Sequence, residues 1–162
     1  MEEKINETAV WNRVTAASRE GSKTSESETG PIGPELLAAM ERKQSAIVRY
    51  RQLVSRCNGE MQRVLRKILQ QEQQQLRLFS ALYYFLTGER PCLGQISMQN
   101  HRESIADSFR RMMQGEELSA GRLEALAARS TGEVQEALAD LCRQERQHFH
   151  WLLPLLGQSI ES

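Results

Sequence analysis

The chain has 162 residues, 40% of them apolar, with 21 basic and 21 acidic side chains. That length suffices for one domain with its own core, and a formal net charge of zero gives no overall field to gather nucleic acid or an anionic membrane. The acidic start, MEEKINETAVWNRV, lacks the apolar core of a signal peptide, and no window approaches the ~18 apolar residues of a membrane span, so a cytoplasmic protein is expected.

In chain order, residues 7–18, ETAVWNRVTAAS, form a predicted short helix with Val10, Trp11 and Val14 on one side. The stretch 19–34 is rich in Gly, Ser, Thr, Glu and Pro and has the composition of a flexible linker. This divides the chain into an N-terminal arm, 1–34, and a helical domain, 35–157. A first long helix is predicted from about Glu35 to Cys57, ended by Asn58-Gly59, and a second from about Glu60 to Thr87, ended by Gly88. After the connection GERPCLGQ a third helix is predicted from about Ser97 to Arg129, with a bend favoured near Gly115 and Gly121. The fourth follows Ser130-Thr131-Gly132 and reaches about Leu156, with Pro154 disturbing its last turn.

Each helix carries a buried-face stripe in alternating steps of four and three. The fourth reads Val134, Leu138, Leu141, Glu145, His148, Leu152, Leu155, and the second reads Met61, Leu65, Ile68, Glu72, Gln75, Phe79, Leu82, Leu86. A shift of 73 residues superimposes them, matching Gly59 with Gly132, Glu72 with Glu145 and Gln75 with His148. The first helix reads Leu36, Met40, Lys43, Ile47, Tyr50, Val54, Cys57, and the third reads Ile105, Phe109, Met112, Glu116, Ser119, Leu123, Leu126. Lys43 and Glu116 stand 73 apart and interrupt their stripes at matching depth. Lys43 lies 15 residues before Asn58 and Glu72 lies 14 after it, so an antiparallel hairpin levels them, as the second hairpin levels Glu116 with Glu145. An unpaired carboxylate on such a face would cost several kcal/mol, roughly, which calls for a counter-ion or a metal.

A carboxylate from each of two helices with Glu-x-x-His from two others is the ligand set of a di-metal carboxylate bundle. On these residues the stretch 35–157 resembles the ferritin-like superfamily, and within it the rubrerythrin-type domain proteins. In that family the first helix places a Glu three residues before Ala and seven before Tyr; here Lys43, Ala46 and Tyr50 fill the pattern, with Lys for Glu. The second-helix Glu-x-x-His with a following aromatic becomes Glu72, Gln75, Phe79. Glu116, Ser119 and Leu123 match the third-helix pattern loosely, and Glu145 with His148 matches the fourth fully. The resemblance implies a ferritin-like four-helix up-down bundle built of two repeated hairpins. It also implies a metal layer, bridged by Glu72 and Glu145, that supports redox chemistry in intact members, often with an electron donor.

Two of the six ligand positions depart from the family, both in one half. A protonated lysine has no lone pair to give, so Lys43 cannot ligate, and its charge can stand where one ion would sit. The expectation is therefore at most one iron, manganese or zinc ion on Glu72, Glu116, Glu145 and His148. The alternative is a metal-free interaction or regulatory module with Lys43 as the counter-ion and Gln75 beside it. A homodimer, an electron donor or another protein partner are compatible with either. No reaction can be named. Competing readings put Glu145 and His148 on the surface, or turn Gln44 and Glu117 inward in place of Lys43 and Glu116, at the cost of bringing Arg51 and Glu124 in as well. Glu103, His101 and His150 read as surface residues, and Trp151 with Tyr83-Tyr84-Phe85 as packing. The three cysteines, Cys57, Cys92 and Cys142, form no Cys-x-x-Cys pair, which fits a reducing compartment; Cys142, one turn before Glu145, reads as a packing residue.

Overall fold

A computed structural model of the chain describes residues 32–97 and 103–161. These contain four α-helices: α1, Gly33–Arg56; α2, Gly59–Thr87; α3, Ile105–Ala128; and α4, Gly132–Glu161. No strand occurs among the described residues. The arm helix expected at 7–18 and nearly all of the linker lie outside them, as does His101.

Within each hairpin the turn is short because a glycine takes a conformation that side chains disfavour. Gly59 and Gly132, equivalent in the repeat, open α2 and α4 at φ of 55° and 59°. Pro34 lies in the first turn of α1, where its missing N–H costs nothing. Gly88 ends α2 in the left-handed region, its N–H donating to the carbonyl of Tyr84.

Two helix boundaries differ from expectation. The third helix begins at Ile105, not near Ser97, because Ser104 caps it: Ser104 Oγ accepts the Asp107 N–H at 3.0 Å and donates to the Asp107 carboxylate at 2.7 Å. The fourth continues through Pro154 to Glu161. Pro154 is exposed, so water can serve the carbonyl that its ring leaves unpaired. Gly115 and Gly121 lie inside an unbroken α3, also on its exposed side.

The helices pack as α1 against α2 and α3 against α4, with thinner contacts joining α1 to α3 and α2 to α4. One apolar cluster joins Leu36 and Met40, Phe79 and Leu82, Leu123 and Leu126, and Leu138 and Leu141. The other joins Tyr50 and Leu53, Leu65 and Ile68, Phe109 and Met112, and Leu152 and Leu155. The clusters fix the helix directions. α1 starts in the first cluster and ends in the second, as α4 does, whereas α2 and α3 both run from the second to the first. Thus α2 and α3 are parallel, and Gly88 and Ser104 lie at opposite ends of the bundle. The order is up, down, down, up, and not strict alternation. Two contacts between α1 and the α3 hairpin agree: Glu35 pairs with Arg129 at 2.6 Å at one end, and Arg56 donates to the Glu103 carbonyl at 2.7 Å at the other.

Residues at the border of a stripe trade places with their neighbours. Leu53 and Ala120 are buried, whereas Val54 and Ser119 are only half-buried. A helix face of about 100° has room for such choices, and in the second pair the apolar Ala120 goes inward in place of Ser119. The turns of the two hairpins sit at opposite ends of the bundle, so equal arm lengths bring the stripe-breaking polar residues to its middle, between the two apolar clusters.

Candidate metal centre

That middle layer contains Lys43 from α1, Glu72 and Gln75 from α2, Glu116 from α3, and Glu145 and His148 from α4, all buried. The neighbours Gln44 and Glu117 do not replace them: Gln44 is half-buried and Glu117 exposed. Glu72 and His148 have no surface exposed to bulk solvent.

Lys43 Nζ donates to Glu72 Oε1 at 2.7 Å and to Glu145 Oε1 at 2.5 Å, spanning the two carboxylates related by the repeat. His148 Nδ1 lies 3.3 Å from both Glu72 Oε1 and Glu116 Oε2, and its Nε2 lies 2.7 Å from Gln71 Oε1. Tyr50 donates its hydroxyl to Glu116 Oε1 in a short hydrogen bond. Gln75, at the place equivalent to His148, donates to Gln144 Oε1 at 2.9 Å. The second oxygens of Glu72 and Glu145, and the amide oxygen of Gln75, are buried without a hydrogen-bond partner.

The proton affinities follow from this crowding. Burial would strip Lys43 of its proton, but Glu72, Glu145 and Glu116 together outweigh it and raise its pKa. Burial likewise opposes the charged form of His148, yet hydrogen bonds to Glu116 and Glu72 lift its pKa to about 9. Glu72 has both Lys43 and His148 against it, and despite burial its pKa falls below the usual carboxylate value. Glu145 is pushed up to about 7, first by burial and then by the charges of Glu72 and Glu116, with Lys43 only partly countering them. Burial and the Glu116 carboxylate keep the Tyr50 hydroxyl protonated, its pKa well above the usual tyrosine value. Lys43 and a protonated His148 thus offset two of the three carboxylates, and Glu145, with its pKa raised to about 7, takes up a proton as the pH falls through that value.

The donor set can hold a metal ion. Glu72, Glu116, Glu145 and His148 each offer a ligand atom, and these four atoms lie within 4.8 Å of one another. Gln71 fixes the useful tautomer of a neutral His148. Its carbonyl oxygen takes the proton on Nε2, which leaves the lone pair on Nδ1, the nitrogen facing the carboxylates. Lys43 and Gln75 supply no comparable set on the other side, because an ammonium has no lone pair and Gln75, whose amide nitrogen donates to Gln144, offers only a single neutral oxygen.

Tyr50, Gln71 and Gln144 belong to the site although the sequence reading did not assign them to it. Tyr50 was within reach, since it shares the α1 stripe with Lys43. Gln71 and Gln144 precede Glu72 and Glu145 in sequence and lie off the stripes, so nothing but the packing of α2 against α4 reveals them. Other candidates fall outside. Glu103 is not a free surface residue: it is half-buried, accepts from Ser108 Oγ at 3.1 Å and pairs with Arg111 at 2.8 Å. His150 is exposed, Trp151 stacks under the Lys67 ammonium, and Tyr83 is buried whereas Tyr84 and Phe85 are exposed. Cys142 turns away from the layer and donates to the Ala120 carbonyl at 3.3 Å.

Compared with family models, curated proteins and solved structures, the chain shows no match in any of the three. Fold and site define a four-helix bundle with a buried carboxylate, histidine and lysine layer able to hold a metal ion.

Proposed function

We propose that the chain is a ferritin-like, rubrerythrin-type bundle whose two-metal layer is reduced to a site for one divalent ion. Glu72, Glu116, Glu145 and His148 hold the ion, and Lys43 is the fixed cation in place of the second. The observation that carries this reading is the convergence of four ligand atoms within 4.8 Å, with an unpartnered buried oxygen on both Glu72 and Glu145. Such oxygens cost free energy unless something completes them.

The charge count supports the same stoichiometry. Three carboxylates are balanced by the Lys43 ammonium and one divalent ion, with His148 neutral. Without the ion, and below about pH 7, a proton on Glu145 and the second proton on His148 give the same balance. One ion therefore exchanges for two protons, and a second would leave two positive charges in excess. Iron or manganese in this setting supplies one-electron redox or Lewis-acid chemistry. Tyr50 orients Glu116, Gln71 orients His148, and the apolar clusters on either side exclude water.

The test is reconstitution with iron(II), manganese(II) or zinc(II), removal of excess ion and elemental analysis. We expect about one ion per chain for at least one metal and background levels in His148→Ala; two ions per chain, or none with every metal, overturns the reading.

A second reading, a metal-free interaction module, is favoured by one feature: Lys43 already spans Glu72 and Glu145, as a bridging ion would. The absence of binding with all three metals selects it.

A further inference from the structure

A separate cleft of about 240 Å³ opens along the seam between α1 and α3, one helical turn from the polar layer toward the Cys57 end. Its lining includes Leu53, one turn past Tyr50, and Met112, one turn before Glu116. Three arginines, Arg49, Arg56 and Arg111, and one acidic residue, Glu103, are among the residues that line it.

The carboxylate is already committed. Glu103 Oε2 pairs with Arg111 at 2.8 Å, and its Oε1 accepts from Ser108 Oγ at 3.1 Å. Arg56 is held by neutral groups, donating to the Glu103 carbonyl at 2.7 Å and to Ser108 Oγ at 3.3 Å. Among the described residues neither Arg49 nor Arg56 forms an ion pair. Two arginines without an ion-pair partner thus line one cleft, and one of them is already oriented by its hydrogen bonds. The planar fork of a guanidinium matches two oxygens of a carboxylate or phosphate, and an oriented fork loses less entropy on binding.

We propose that this cleft binds a small oxyanion of the phosphate or carboxylate type, on Arg49 and Arg56. Its volume is below the usual range of pockets for drug-sized ligands, which suits a phosphate or a short organic acid. The proposal stands apart from the metal reading, because no ligand of the proposed ion lines the cleft.

Calorimetric titration of the full chain without added metal tests it. Inorganic phosphate is used in one arm and succinate in the other, with sodium chloride at matched ionic strength as the blank. We expect saturable binding in at least one arm, weakened roughly tenfold or more in Arg49→Ala and unchanged in Arg77→Ala, an exposed arginine on α2. The tighter arm names the ligand class. Arg49 is exposed, so its removal leaves the core intact, and circular dichroism verifies the fold. Binding no stronger than chloride in both arms, equal affinity in Arg49→Ala, or an equal loss in Arg77→Ala overturns the proposal.

Discussion

Lys43 and Glu72 face each other across the first hairpin, the ammonium nitrogen 2.7 Å from the carboxylate and both side chains buried. Their counterparts in the second hairpin, Glu116 and Glu145, are both acidic, so one lysine offsets carboxylates from both halves of the repeat.

Removing that lysine leaves the carboxylates without their shared donor. Lys43→Met is expected to destabilise the metal-free protein by about 3–5 kcal/mol, the usual cost of stranding a buried charge. Chemical denaturation measures the loss. Adding a divalent metal should recover part of it, since the ion takes over the counter-charge.

The converse change rebuilds the missing ligands. Lys43→Glu combined with Gln75→His should raise metal content from about one to about two ions per chain by elemental analysis. Content that stays at one would show that the first half of the layer no longer has the geometry of the second.

Stability of the metal-free protein should fall as pH rises. His148 has a folded pKa of about 9, above its ordinary 6.5, so its contribution is full below pH 6.5 and lost through pH 9. Glu145, raised from 4.5 to about 7, has the same sign and loses its contribution between those values. Glu72 is shifted down and acts oppositely, at the acid end. Denaturation from pH 6 to 9 should show a decline on the order of 3 kcal/mol. Metal affinity should rise over the same range, because the ion competes with protons on His148 and Glu145.

Tyr50→Phe deletes the hydroxyl that holds Glu116 and leaves a buried carboxylate oxygen without its donor. We expect a loss of about 1.5–3 kcal/mol in unfolding free energy. Metal binding should weaken without disappearing, since Tyr50 orients a ligand and is not one; competition with a chelator reads this.

Gly115→Ala and Gly121→Ala should each stabilise the protein by up to about 1 kcal/mol. Both glycines lie within a continuous helix, and an added Cβ would meet nothing within 4 Å. A decrease in thermal midpoint for either would mean that the glycine is needed for something other than helix formation.

The amino-acid sequence by itself determined the four helices, the turns at Gly59 and Gly132, and the six residues of the polar layer. Burial enforces a period near 3.6, and a Lys or Glu that interrupts such a stripe stands out against the apolar residues around it. The 73-residue repeat then levelled the interruptions, because arms of equal length reach equal depth. Beyond these, the outcome depended on contacts between segments far apart in the chain. The start of α3 was set by the cap at Ser104, and the parallel course of α2 and α3 by which helix ends share each apolar cluster. Only the packed bundle decided that Lys43 bonds to Glu145 as well as Glu72, or that Gln71 orients His148. Periodicity along one helix fixes which face turns inward, whereas partners across a core depend on how whole faces seat against one another.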